Sequence, residues 1–140
     1  MSQFITKELL YKKTPQEITA LLYEACLENL YTAKDAINAK EYIDANKSLQ
    51  KANDILHRLG GGLNYDAGII SDQLDALYNY MADKIIEANL HKKVEPLEET
   101  IKLLTEIIDA WKQAMDKKVD NQPKMMRQKA SAYEQNVMYE

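Results

Sequence analysis

Apolar residues recur along this chain at steps of three and four, the signature of helices that each turn one face toward a core. Ile18, Leu21, Leu22, Ala25, Cys26, Leu30, Ala33, Ala36 and Ile37 keep that rhythm and predict a first helix from Pro15 to about Lys40. Its start is signalled twice. The Thr14 hydroxyl can accept from the amide of Glu17 while Glu17 reaches back, and Pro15 takes the first helical position, where a missing N–H costs nothing. A second helix is expected from Tyr42 to Leu59, with Leu49, Ala52, Ile55, Leu56 and Leu59 inward and Lys47, Lys51, Asp54 and Arg58 in water. Gly60, Gly61 and Gly62 should then close it, because glycine readily takes the left-handed conformation of a helix C-terminus. The three glycines read as the most flexible internal hinge. Asp66 is placed to cap a third helix, in which Ile69, Ile70, Leu74, Leu77, Tyr78, Met81, Ile85 and Leu90 form a long apolar face ending near His91. After the turn HKKVEP, Pro96 opens a fourth helix whose Leu97, Ile101, Leu104, Ile108, Trp111 and Met115 alternate steps of four and three.

Four helices joined by short connections, with no strand pattern, predict an all-α fold: an antiparallel four-helix bundle over residues 14–117. An extra N-terminal segment, residues 1–13, carries Phe4, Ile5, Leu9, Leu10 and Tyr11 on an apolar side that something should cover. From residue 118 to residue 140 the periodicity fades into a polar tail, set off by Pro123.

Composition narrows the possible roles. The 140 residues are 46% apolar and 29% charged, enough for one real core and too apolar for wholesale disorder. A net charge of -4 without a Lys/Arg-rich block argues against nucleic acid as partner. No apolar run approaches the roughly 20 residues needed to span a bilayer, so no membrane insertion is expected, and the N-terminus lacks the apolar stretch of a signal peptide. The expectation is a cytoplasmic protein. The lone Cys26, inside an apolar stripe, reads as a packed small hydrophobe in a reducing compartment.

Catalysis finds little support. A two-metal bundle needs Glu-x-x-His pairs from two helices, but only Asp54 and His57 have the three-residue step, and Glu87 and His91 lie four apart near a helix end. The three glycines follow no strand and carry no Gly-Lys phosphate loop. Ser71 and Cys26 have no recognisable general base. No metal, cofactor or enzymatic activity is therefore expected. The nine tyrosines against one phenylalanine are more informative, since tyrosine combines a rigid apolar face with a hydroxyl and suits a surface alternately wet and covered by a partner. Tyr78 and Tyr80 are separated by about 200° around one helix, so both cannot enter the same core.

These residues resemble a known family, the flagellar export chaperones of bacteria called FliS. TPQEITALLYEACL at residues 14–27 is similar to that family's opening pattern, and LDALYNYMADKIIEAN at residues 74–89 to its third-helix signature. LNYD at residues 63–66 and DAWKQAM at residues 109–115 agree in the same order. The resemblance implies a helical bundle that binds the disordered C-terminal segment of flagellin, blocks premature polymerisation and presents the subunit to a component of the flagellar type III export gate. Residues placed on such a groove are Leu56, Leu59 and Leu63 at the glycine hinge, then Tyr65, Ile70, Leu74, Leu77, Tyr78 and Tyr80. The ends depart from the family pattern. Members carry a Tyr-x-x-Asn-x-Val-like segment before the Thr/Ser-Pro, whereas residues 1–13 lack it and AYEQNV stands at residues 132–137. Either Leu9, Leu10 and Tyr11 or the tail around Tyr133 and Tyr139 would cover the groove when no client is bound. Uncovered apolar faces also allow a homodimer. The competing reading is a helical adaptor whose partner is another amphipathic segment.

Overall fold

The computed structural model describes residues 14–63 and 69–120, with side-chain detail for residues 14–63 and 71–116. It contains helices α1 (Pro15–Asn38), α2 (Tyr42–Gly61), α3 (Ile69–His91) and α4 (Glu95–Asp120), with no strand among the described residues. The Thr14 hydroxyl accepts the Glu17 amide at 3.1 Å and donates to the Glu17 carboxylate at 3.2 Å, so the sequence's start signal is used as read. The capping role expected of Asp66 falls outside the described residues.

Each helix packs against its neighbours in sequence, and α4 returns to α1, which closes a four-helix ring. The core is a single column containing Tyr23, Cys26, Leu30 and Ala33 from α1, Leu49, Ala52 and Leu56 from α2, Tyr78, Met81 and Ile85 from α3, and Leu97, Leu104 and Ile108 from α4. Cys26 is fully buried, and burial alone pushes its thiol up to about 12, which makes it inert near neutrality.

The helix ends correct the sequence reading. α2 runs through Gly60 and Gly61, and none of the three glycines is left-handed; the cap residue Gly62 sits at φ -89°. Left-handed backbone occurs instead at Lys40 (φ 60°) and Lys92 (φ 52°). After α1, the Glu41 amide bonds the Ala36 carbonyl and the Lys40 amide bonds the Ile37 carbonyl, a Schellman closure; after α3, Lys93 bonds Ala88 in the same way. The closing hydrogen bonds compensate the cost of placing lysine in that conformation, which residue preference alone does not foresee. α4 extends to Asp120, three residues beyond the expected bundle boundary.

Candidate functional site

Antiparallel order brings the start of α1, the end of α2, the first half of α3 and the late turns of α4 to one pole. There an apolar cavity of about 490 Å³ opens, lined by Ile18, Leu22 and Tyr23 of α1, Leu59 of α2, Leu63 just beyond it, Leu74 and Tyr78 of α3, and Trp111 of α4. Arg58 adds a cation to the lining. The cavity floor is an aromatic triad. Tyr23 and Tyr78 share a 2.6 Å bond between their hydroxyls, and Tyr23 meets Trp111 edge-on at 5.8 Å. Burial pushes both phenols above the ordinary tyrosine range, so they remain neutral and hydrogen-bonded to one another.

A second opening follows the seam between α2 and α3. At the end away from that pole it is a groove of about 380 Å³ with Leu49 and Ile85 in its floor, Ile86 and Leu90 at its edge, and the carboxamides of Asn46, Gln50, Asn53 and Asn89 along it. Asn89 donates to Asn46 at 2.7 Å, and Lys92 donates to Asn89. Nearer the pole the seam reopens over about 240 Å³ between Leu56, Gly60 and Gly61 of α2 and Asp75, Tyr78 and Ala82 of α3. The α1/α4 furrow differs in character: Lys34, Glu98, Lys102 and Glu106 line it, with Lys34 and Glu98 paired at 3.7 Å.

The residues singled out from sequence fall into several places. Leu59, Leu63, Leu74 and Tyr78 line the polar-end cavity, and Leu56 lines the neighbouring part of the seam. Leu56, Leu59 and Tyr78 are core residues, Tyr78 only 4% exposed, as their inward spacing predicts, so they form the floor of these openings. Leu77 is half-buried and lies on neither opening. Tyr80 is 42% exposed on the α3/α4 face, where its hydroxyl donates to Glu99 and Lys84 lies 5.5 Å from its ring centroid, so it does not join the other residues. That one of Tyr78 and Tyr80 is inside and the other out follows from their angular separation. Tyr65, the side chain of Ile70, and Leu9, Leu10, Tyr11, Tyr133 and Tyr139 lie outside the described residues.

Sequence reasoning missed Tyr23, although Tyr23, Cys26, Leu30, Ala33 and Ile37 form an uninterrupted three-four series. It also missed Ile86, and it placed Leu90 inside; Leu90 is 75% exposed and Ile86 is 56% exposed. Leu90 lies in the last turn of α3, beside the closing bend at Lys92, where the face has rotated past the core.

The model of the family described as flagellar protein FliS matches residues 5–118. The chain belongs to the FliS family. The flagellar secretion chaperone FliS of Bacillus subtilis is 34% identical over 102 residues, covering 73% of this chain and 76% of that protein. Its counterpart from Salmonella typhimurium is 27% identical over 118 residues, covering 83% and 87%. A solved structure described as a flagellar chaperone from bacteria superposes with a TM-score of 0.70 at 21% identity, over 82% of this chain and 94% of that one, and this likeness carries the fold. As a FliS protein the chain is an export chaperone of the flagellum, acting by binding a flagellar protein and not as an enzyme. None of the described helices is long and apolar enough to cross a membrane.

Proposed function

We propose that this FliS-family chain binds the disordered C-terminal segment of flagellin in the bacterial cytoplasm, keeps it from polymerising and hands it to a component of the export gate. The observation that carries this reading is the pair of apolar openings, the cavity at one pole and the α2/α3 seam, on a bundle whose own core is otherwise complete. A segment that forms coiled coils in a filament has an amphipathic face with nothing to cover it when free, and helix-in-groove docking covers it. Leu59, Leu63, Leu74 and the edge of Tyr78 would take side chains at the pole, and Ile86 and Leu90 would clasp the segment along the seam. Tyr65 and Ile70 remain assigned to this surface by the resemblance.

Titration with a flagellin C-terminal peptide, followed by circular dichroism and calorimetry, tests the reading. Helix gain with a large negative heat-capacity change is expected, as for coupled folding and binding. Absence of binding by a folded chaperone overturns it. The same peptide tests the covering segments: removing residues 121–140, or separately residues 1–13, should raise affinity for the peptide if the removed segment competes with it, and no change from either removal counts against a self-cap. Sedimentation of the free chain decides whether a second copy covers the openings.

A further inference from the structure

Ion pairing is uneven around the bundle. Lys34 of α1 meets Glu98, Lys84 of α3 meets Glu87 and Glu99, and Lys112 of α4 meets Glu24, all between 3.4 and 3.7 Å. The exposed cations of α2, Lys47, Lys51 and Arg58, have no ion pair among the described residues. Lys47 and Lys51 each follow a residue that lines the α2/α3 groove, Asn46 and Gln50, so they stand about 100° farther round α2, on the groove's outer bank. Lys92 leans to the same side, its ammonium 6.0 Å from the centre of the Tyr42 ring of α2. The facing bank is acidic. On α3, Asp83 precedes Ile86 by three residues and Glu87 follows it by one, which sets both exposed carboxylates about 60–100° outward of the groove edge. Lys84, the cation beyond them, is already committed to Glu87 and Glu99. Towards the pole the order repeats, with Asp75 of α3 on the seam and Arg58 near the end of α2; Asp54 alone interrupts the row of Lys47, Lys51 and Arg58.

We infer that these oppositely charged banks set the direction in which the partner helix lies in the α2/α3 seam: its acidic flank runs along Lys47 and Lys51 of α2 and its basic flank along Asp83 and Glu87 of α3. The inference rests on the docking reading given above. Apolar burial is non-directional, so the floor residues Leu49 and Ile85 hold an amphipathic helix equally in either direction. Turning that helix end for end keeps its apolar stripe on the floor but exchanges its flanks, and each flank then meets a bank of its own sign. Coiled coils choose partner and orientation by the same means, with charges beside the apolar seam. The partner's chemistry follows. Beside its aliphatic stripe it carries Asp or Glu on one side and Lys or Arg on the other, at steps of three and four. Exposed pairs of this kind add little to a closed complex and much to encounter and to the rejection of the wrong arrangement.

Charge reversal on the banks tests this, with the flagellin C-terminal peptide as probe. Each altered bank residue is exposed, so the fold should be retained. At about 10 mM salt, where screening sets in only beyond ~30 Å, Lys47→Glu/Lys51→Glu and, separately, Asp83→Lys/Glu87→Lys should each lower affinity about tenfold, mainly through slower association, and the deficit should close at about 1 M salt. Lys34→Glu/Lys102→Glu makes the same change in net charge as the α2 pair but in the α1/α4 furrow, and should shift affinity less than about twofold. An equal fall from the furrow pair and the α2 pair assigns the effect to net charge and overturns the inference. Unchanged affinity in both bank variants also overturns it and leaves the docking reading standing, whereas failure of the unaltered protein to bind the peptide overturns both. Direction has its own measurement. A nitroxide at one end of the peptide should broaden amide resonances at one end of the seam alone, either near Tyr42 or near Gly61, and in the variant with both banks exchanged it should broaden the opposite end as well or instead. A tag that keeps its place in that variant, or that broadens both ends of the unaltered seam, overturns a direction set by charge.

Discussion

Helix α2 makes two unlike contacts on one rod. Against α1 it forms the most extensive helix pairing in the bundle, and both helices bury alanines there and nearby: Ala33, Ala45 and Ala52 have no exposed surface. Small side chains let helix axes approach, so this seam closes on itself. Against α3 the contact is less extensive, and α2 presents Asn46, Gln50 and Asn53 to Ile86, Asn89 and Leu90, which hold a groove open. Overall hydrophobicity does not set the difference. Side-chain size and polarity in rows a fraction of a turn apart decide whether a face seals the fold or stays available to another chain.

The strongest way to break this contrast is to enlarge the sealed seam. Ala52→Leu puts three extra carbons beside a carbonyl that the Cys26 thiol already reaches at 3.7 Å, and overpacking of this kind should cost about 3 kcal/mol in urea denaturation. A loss below 0.5 kcal/mol would mean the α1/α2 seam is as loose as the groove. Next in size is the phenol pair that bridges α1 and α3. Tyr78→Phe leaves the buried Tyr23 hydroxyl without its partner and should cost about 2 kcal/mol, while Tyr23→Phe/Tyr78→Phe recovers most of that loss. If the double variant is as unstable as the sum of the singles, the two hydroxyls are not coupled.

Burial also gives the core an alkaline limit. The Cys26 thiol is held up to about 12 and the Tyr78 phenol still higher, so the native state keeps protons that the unfolded chain releases above about pH 9 and about pH 10. Stability from these groups is complete below those unfolded values and is lost as pH rises toward the native ones. Denaturation midpoints should therefore fall between pH 8 and pH 11, and Cys26→Ala should flatten part of that fall; equal slopes for both proteins would contradict the thiol's share.

The four helices, their order and the Thr14–Pro15 start were legible because periodicity and capping chemistry are local. The exposed part of the site was not. Ile85 and Ile86 are adjacent and equally apolar, yet one is core and the other lies open, a distinction made by the position of α2 and not by composition. Tyr23 was left out of the first helix's inward stripe, although its spacing belongs to the core series. The helix closures were misread for a related reason. A Schellman bend is selected by its two closing hydrogen bonds, and here those form at lysines.

That misplacement yields a smaller effect. A methyl at Gly61 would meet open space, and Gly61 lies within α2 without left-handed backbone, so Gly61→Ala should stabilise by about 0.5–1 kcal/mol through helix propensity. Lys40→Gly should stabilise by a similar amount, about 1 kcal/mol, by relieving a left-handed lysine. Thermal melts read both. Destabilisation in the first variant or in the second would reverse the assignment of left-handed backbone at that position.

The smallest expected change in stability falls on the open side of α2's contrast and sharpens it most. Leu90 is three-quarters exposed at the groove edge, and lysine is as good a helix former, so Leu90→Lys should leave the denaturation midpoint within about 0.5 kcal/mol of the original. The same change removes an apolar contact from the proposed docking surface and adds a charge that docking would have to desolvate. Affinity for the flagellin peptide should consequently drop by at least about tenfold, roughly 1.4 kcal/mol, with the fold untouched. A residue that costs nothing to the bundle and much to the complex marks a surface kept for another chain. Equal affinity would instead confine docking to the polar-end cavity and leave the α2/α3 groove as an imperfection of packing.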